Sequence, residues 1–109
     1  MKLSLEYRWR LAEEEYQKGN PTIIMLHGIG SNMDDLYSFS HLLPKKYNIF
    51  SAQAPIEYSI GGYAWYHIEW TGKEIRIDFE EVLRAKDKVS HFIDELINNY
   101  NVDKDNIYL

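Results

Sequence analysis

Apolar and polar residues alternate at the start of the chain, which is typical of a strand with one buried face. The apolar positions are Leu3, Leu5, Tyr7, Trp9 and Leu11. Because parallel strands are buried on both faces, this alternation predicts an antiparallel or edge strand. A charge run at Glu13, Glu14 and Glu15 follows, and then turn-forming residues from Lys18 to Pro21, so this stretch predicts a solvated loop.

Two further stretches predict buried strands. The unbroken aliphatic run Thr22–Leu26, bounded by Pro21 and Gly28, is typical of a central parallel strand. Residues 47–52 predict the next strand, which enters a loop that continues to Gly62. Residues 107–109 begin another apolar strand at the end of the printed sequence, so we expect the chain to be part of a longer domain.

Helical spacing of apolar residues predicts a helix after the first buried strand. Ser31 or Asn32 is a candidate N-cap, and Pro44 ends the predicted helix. Its apolar side is formed by Leu36, Phe39, Leu42 and Leu43.

The strongest helical pattern covers residues 79–100. Asp78 and Glu81 have the spacing of a capping box at its start. The apolar side is formed by Val82, Leu83, Val89, Phe92, Ile93, Leu96, Ile97 and Tyr100. Aromatic residues between 63 and 70 fit either a short strand or an aromatic-walled loop, and the sequence does not decide between them.

This order of elements predicts an α/β fold for one domain, residues 1–109. Right-handed crossovers would make the last three strands parallel, with helices on both faces and the N-terminal strand antiparallel at an edge.

Composition excludes several functional classes. With 12 Lys and Arg against 17 Asp and Glu, the net charge of −5 makes nucleic acid a poor partner. The absence of cysteine excludes disulfides, a cysteine nucleophile and thiolate zinc sites. The four histidines are widely spaced, so we expect no metal site. No apolar run is long enough to span a membrane or to act as a signal peptide, so we expect a cytoplasmic protein.

The segment HGIGS at residues 27–31 is the strongest candidate for chemistry. It lies between a buried strand and a helix start, where α/β proteins place ligands. Its backbone N–H groups suit an anion, either a phosphate or the oxyanion of acyl transfer. A dinucleotide fingerprint fails because Met33 stands where the third glycine belongs. A tight turn without a ligand remains the alternative. Trp65, Tyr66 and Trp70 either line a substrate cleft or belong to the core.

Three segments together resemble a known family. They are LHGIGSNMDDL at 26–36, QAPIEYSIGGYAWY at 53–66 and KVSHFIDELINNYNVDKDNIYL at 88–109. In this order and spacing they resemble the N-terminal half of the phospholipase/carboxylesterase family. These are serine hydrolases of the α/β-hydrolase fold and include acyl-protein thioesterases.

The resemblance implies roles for a few positions. The backbone N–H of Ile29 would belong to the oxyanion hole, and His27, Gly28, Gly30 and Trp65 would line the substrate site. It further implies a small-molecule ester substrate, no cofactor and no metal. The strand that begins at residue 107 would lie beside the strand Thr22–Leu26, whose other neighbour would be the strand at 47–52.

The family's nucleophile elbow, G-x-S-x-G, follows the strand that begins at residue 107, and no serine here stands in such a motif. The resemblance therefore implies that the serine, acid and histidine of the triad come after residue 109. It also implies that residues 1–109 alone are inactive. Two alternatives remain: a non-catalytic binding module built on a truncated hydrolase scaffold, and, more weakly, a phosphate- or nucleotide-binding half. The open edge of the last strand favours self-association.

Overall fold

The computed structural model describes residues 2–13 and 19–109. The predicted loop residues Glu14, Glu15 and Lys18 lie outside these ranges. In chain order the strands and helices are β1 (Tyr7–Arg10), β2 (Thr22–Leu26), α1 (Met33–Tyr37), a 3₁₀ turn (Ser40–Leu42), β3 (Asn48–Ala52), β4 (Ile56–Ser59), β5 (Gly62–Ala64), β6 (Ile68–Trp70), β7 (Ile75–Ile77), α2 (Phe79–Tyr100) and β8 (Ile107–Tyr108).

A mixed sheet forms the centre of the fold. Within the described residues it has four strands in the order β1-β3-β2-β8. Strand β2 pairs in parallel with both β3 and β8, and β1 pairs antiparallel with β3 at the edge. The predicted antiparallel edge strand and the predicted neighbours of β2 are therefore confirmed.

The two helices cover opposite faces of this sheet. Phe92 and Leu96 of α2 pack in one buried cluster with Ile24 and Phe50 of the sheet. Ser51, the next residue of β3, faces the other way, and its hydroxyl donates to the Met33 carbonyl of α1 at 2.7 Å. Because successive side chains of a strand alternate between faces, helices lie on both sides, as predicted.

Aromatic rings fill the core between α2 and the sheet. The Tyr100 ring of α2 lies 5.1 Å from the Phe50 ring, and the Phe92 ring lies 5.6 Å from the Tyr7 ring, measured between centroids. The hydroxyls of Tyr7 and Tyr100 are 2.5 Å apart. Burial, together with this hydrogen bond, raises the pKa of Tyr7 well above its ordinary value, so Tyr7 stays neutral.

The N-terminal strand is shorter than its alternation predicts. Leu5 and Tyr7 are buried, but Trp9 is 43% exposed and Leu11 is 49% exposed. Strand β1 pairs for only four residues at the edge of the sheet, so the ends of the pattern are only partly covered. The Trp9 ring still lies 6.2 Å from the Tyr100 ring of α2, measured between centroids, and Leu3 packs against the core.

The first helix differs from its prediction in length and in its buried face. It ends at Tyr37, and a 3₁₀ turn follows. Phe39 is 57% exposed and Leu42 is 69% exposed, whereas Met33, which the pattern did not select, is buried. The change from α to 3₁₀ geometry rotates the later side chains away from the sheet, because the two helices turn by different angles per residue.

Two hairpins were not predicted. The stretch after β3, predicted as a loop, contains the antiparallel pair β4 and β5. In the aromatic stretch, β6 pairs with β7, so the strand alternative holds for Ile68–Trp70.

The long helix α2 has the predicted bounds, and the Asp78 carboxylate caps it by accepting from the Glu80 N–H at 2.9 Å. Glu81 does not complete the capping box. It accepts instead from the backbone N–H of His67 and lies 2.7 Å from the His67 Nδ1, contacts that lower its pKa. Leu83, predicted to be on the apolar side, is 57% exposed. In the described part of the chain, no helix is apolar and long enough to cross a bilayer.

Candidate functional site

The segment His27–Ser31 lies at the carboxyl end of β2. Strands β3 and β8 run parallel to β2, so their carboxyl ends point to the same edge of the sheet. This edge is where open α/β sheets bind ligands, because the loops that follow the strands converge there.

The loop is a tight turn that requires glycine. The Ser31 N–H donates to the Gly28 carbonyl at 3.2 Å, and Gly30 has a φ of +82°. Of the two central residues of the turn, only the second has a positive φ. This is the pattern of a type II turn, in which glycine is strongly favoured at that position. Ile29 therefore occupies the second position of the turn, and its side chain is 44% exposed.

The buried side chain of His27 supports the turn through two hydrogen bonds to the backbone. It is 3% exposed, and its Nε2 accepts from the Ala54 N–H at 3.0 Å. Because a backbone amide can only donate, Nε2 carries no proton, and Nδ1 donates to the Gly28 carbonyl 2.8 Å away. His27 thus links the loop to the segment that follows β3.

Trp65 holds the start of the loop. Its Nε1 donates to the His27 carbonyl at 2.9 Å, and the two rings lie 5.7 Å apart between centroids. Trp65, Tyr66 and Trp70 were predicted either to line a substrate cleft or to belong to the core. Trp65 and Tyr66 are partly buried, whereas Trp70 is 69% exposed and belongs to another hairpin. A core role is therefore wrong for Trp70.

Strand β5 holds the far side of the loop. The Gly30 N–H donates to the Tyr63 carbonyl at 2.9 Å, and the Tyr63 N–H donates to the Ser31 carbonyl at 2.8 Å. The Asn32 side chain donates to the Gly61 carbonyl at 3.0 Å and also caps α1. Tyr63 was not among the predicted site residues, although it lies in the GGYAW segment at 61–65 that carries part of the resemblance.

The backbone N–H of Ile29 is open at the start of the turn. Among residues 2–13 and 19–109, no hydrogen-bond acceptor binds it or the N–H of Gly28 before it, whereas the N–H groups of Gly30 and Ser31 are paired. An N–H in this position, held in a rigid turn and open to solvent, can donate to a negatively charged oxygen.

The start of α1 is unsuited to a phosphate. The Met33 N–H already donates to the buried Gln53 side chain at 2.7 Å, and the Asp35 N–H donates to Asn32 at 2.9 Å. The carboxylates of Asp34 and Asp35 lie in the first turn and repel a phosphate. Within the described ranges, no three His, Asp or Glu side chains form a group that could hold a metal ion.

A solved structure shares this fold. It is the crystal structure of the Bacillus cereus carboxylesterase, with a TM-score of 0.74 and 16% sequence identity. The match covers 95% of this chain and 46% of the carboxylesterase, so the chain spans about half the length of that protein. At this identity the likeness shows a common fold. No protein-family model and no curated protein sequence matches the chain.

The five residues predicted for the site lie together at one end of the sheet. Ile29 is exposed at the top of the loop, Gly28 and Gly30 flank it, and His27 and Trp65 lie beneath it. The side chain of His27 contacts the backbone at Gly28 and Ala54, and its contact with a substrate stays a prediction.

We expect His27→Phe to lower the free energy of unfolding by about 1–3 kcal/mol, because the substitution leaves the Ala54 N–H without an acceptor. Urea unfolding followed by circular dichroism measures the change. His91→Phe is the matched control, since the His91 side chain is 66% exposed, and it should change the stability by no more than about 0.5 kcal/mol. Equal effects of the two substitutions would contradict the supporting role of His27.

Proposed function

We propose that this chain is the N-terminal part of a serine carboxylesterase or thioesterase domain. In this proposal the segment supplies the oxyanion-hole loop and part of the substrate cleft, and the serine, acid and histidine come from residues after Leu109. The substrate is a small carboxylic ester or an acyl thioester. No cofactor takes part.

The unpaired Ile29 N–H at the ligand-binding edge of the sheet is the observation that carries the proposal. During attack on an ester, the carbonyl oxygen becomes an oxyanion, and a fixed donor stabilises it more than it stabilises the neutral substrate. One such donor is worth about 3–4 kcal/mol in the transition state.

The position of β8 supports the same mechanism. In its register Thr22 pairs with Ile107 and Ile23 pairs with Tyr108. Continued in this register, the second residue after Leu109 would come level with Leu26, the last residue of β2. A nucleophile on the turn after that strand would therefore lie beside the Ile29 loop, as attack on a carbonyl bound there requires.

The chain alone is expected to show no turnover of short-chain p-nitrophenyl esters, because a donor without a nucleophile and a base does not cleave an ester. A version extended along the natural reading frame through the elbow, acid and histidine is expected to be active. It should lose activity when the elbow serine becomes alanine. Initial rates, measured against heat-inactivated protein, test both expectations.

Two results would contradict the proposal. One is a reading frame that stops after Leu109. The other is ester hydrolysis by the 109 residues alone that survives serine-directed phosphonate inhibitors. An inactive extended protein that instead binds a protein partner in pull-down experiments would favour the non-catalytic module.

A further inference from the structure

The hairpin of β4 and β5 comes unusually close to the Ile29 loop, and the contact is made at Gly62. We infer that Gly62 is a positioning residue that sets the location of the Ile29 N–H. The catalytic meaning of this inference rests on the proposed function, but its structural content can be tested separately.

Gly62 allows the approach because it has no side chain. A Cβ at this position would lie 2.7 Å from the Gly30 carbonyl oxygen and 3.1 Å from its carbon. It would also lie 2.5 Å from the Ser59 Oγ. The serine hydroxyl can rotate away, but the Gly30 carbonyl is part of the turn and cannot move without moving the loop. The φ of Gly62 is not in the left-handed region, so its backbone conformation does not require glycine. The lack of space for a Cβ does.

A shift of the Gly30 carbonyl would also move the adjacent Ile29 N–H. The hydrogen bonds between Tyr63 and the loop form a short antiparallel bridge at Ser31, and Gly30 lies within it. His27 and Trp65 hold the other end of the loop. A push on the Gly30 carbonyl therefore cannot be absorbed by moving the whole loop, and it must alter the turn in which the Ile29 N–H is held.

Gly62→Ala in the 109-residue chain tests the inference by NMR. We expect loss of the through-hydrogen-bond coupling between the Gly30 amide and the Tyr63 carbonyl. Exchange of the Gly30 amide hydrogen should accelerate about fivefold or more, and the Ile29 amide resonance should shift. Amides next to the distant core residues Phe92 and Leu96 serve as internal references and should keep their resonances.

Gly61→Ala is the matched control. Gly61 has a φ of +75°, so alanine is strained there, but a Cβ would meet no atom within 4 Å. This variant should lose stability without losing the coupling from Gly30 to Tyr63. If both variants lose the coupling equally, general destabilisation explains the result and the inference fails.

A double variant separates the two close contacts of Gly62. Ser59→Ala removes the Oγ contact, so Gly62→Ala combined with Ser59→Ala keeps only the clash with Gly30. We expect the double variant to behave as Gly62→Ala does. Recovery of the wild-type Ile29 and Gly30 resonances would overturn the inference, because it would make Ser59 the relevant neighbour. If Gly62→Ala does not fold, the double variant with Ser59→Ala is measured at low temperature instead. Unaltered Gly30 resonances in that double variant would also overturn the inference.

Kinetics of the extended enzyme separate this inference from the proposed function. Misplacing one donor should lower kcat about 10- to 100-fold and change KM less than about threefold, because the donor acts on the transition state. An inactive wild-type enzyme would overturn the proposed function without affecting the NMR result. An active enzyme whose kcat is unchanged by Gly62→Ala would overturn the inference alone.

Discussion

Replacing Ile29 by proline is expected to lower kcat of the extended enzyme about 100-fold or more, because the substitution deletes the N–H that donates to the oxyanion. The turn itself should survive. Proline is favoured at the second position of a type II turn, and the preceding residue, Gly28, accepts the backbone restriction that proline imposes. KM should change little, since the donor contributes mainly in the transition state.

Ile29→Ala provides the control for this experiment. It retains the backbone N–H and removes only an exposed side chain, so kcat should fall much less than in Ile29→Pro. Circular dichroism and thermal unfolding should show that both variants are folded. A proline variant with near wild-type kcat would exclude Ile29 as an oxyanion donor, and an alanine variant as impaired as the proline variant would assign the effect to the side chain.

Replacing Phe50 by alanine is expected to lower the free energy of unfolding by about 3–5 kcal/mol. Phe50 is fully buried at the centre of the sheet and packs on the rings of Tyr7 and Tyr100, so truncation leaves a cavity among aromatic side chains. Such a loss is a large fraction of the stability of a small domain and should lower Tm by about 10 °C or more. Urea and thermal unfolding measure both quantities.

Phe39→Ala is the matched control, because the sequence pattern predicted Phe39 to be buried and the structure exposes 57% of it. We expect a change within about 0.5 kcal/mol. If Phe39→Ala were as destabilising as Phe50→Ala, the regular helix predicted up to Leu43 would be present in solution, and the 3₁₀ turn after α1 would be wrong.

Local patterns were sufficient for the long elements of this fold. The run Ile23–Leu26 is apolar because α1 and α2 cover opposite faces of the sheet in which β2 is a central strand, and helix α2 is long enough for its period to dominate. Short elements were not predictable in this way. Strands β4 to β7 have three or four residues each, too few to show a period, and pairing with a neighbour is what makes them strands.

The candidate site shows the same division. The residue types and order of HGIGS, between a buried strand and a helix start, were sufficient to locate the loop, since a sharp turn there favours glycine. Ile29 was selected within the loop only through the family resemblance. The roles of His27 and Tyr63 were not visible, because their partners at Ala54 and Gly30 are 27 and 33 residues away along the chain. The sequence by itself therefore determined where the backbone turns and which peptide lies at the turn. Tertiary structure alone decided which N–H groups of the loop are paired and which are left open, because that depends on contacts between segments that only folding brings together.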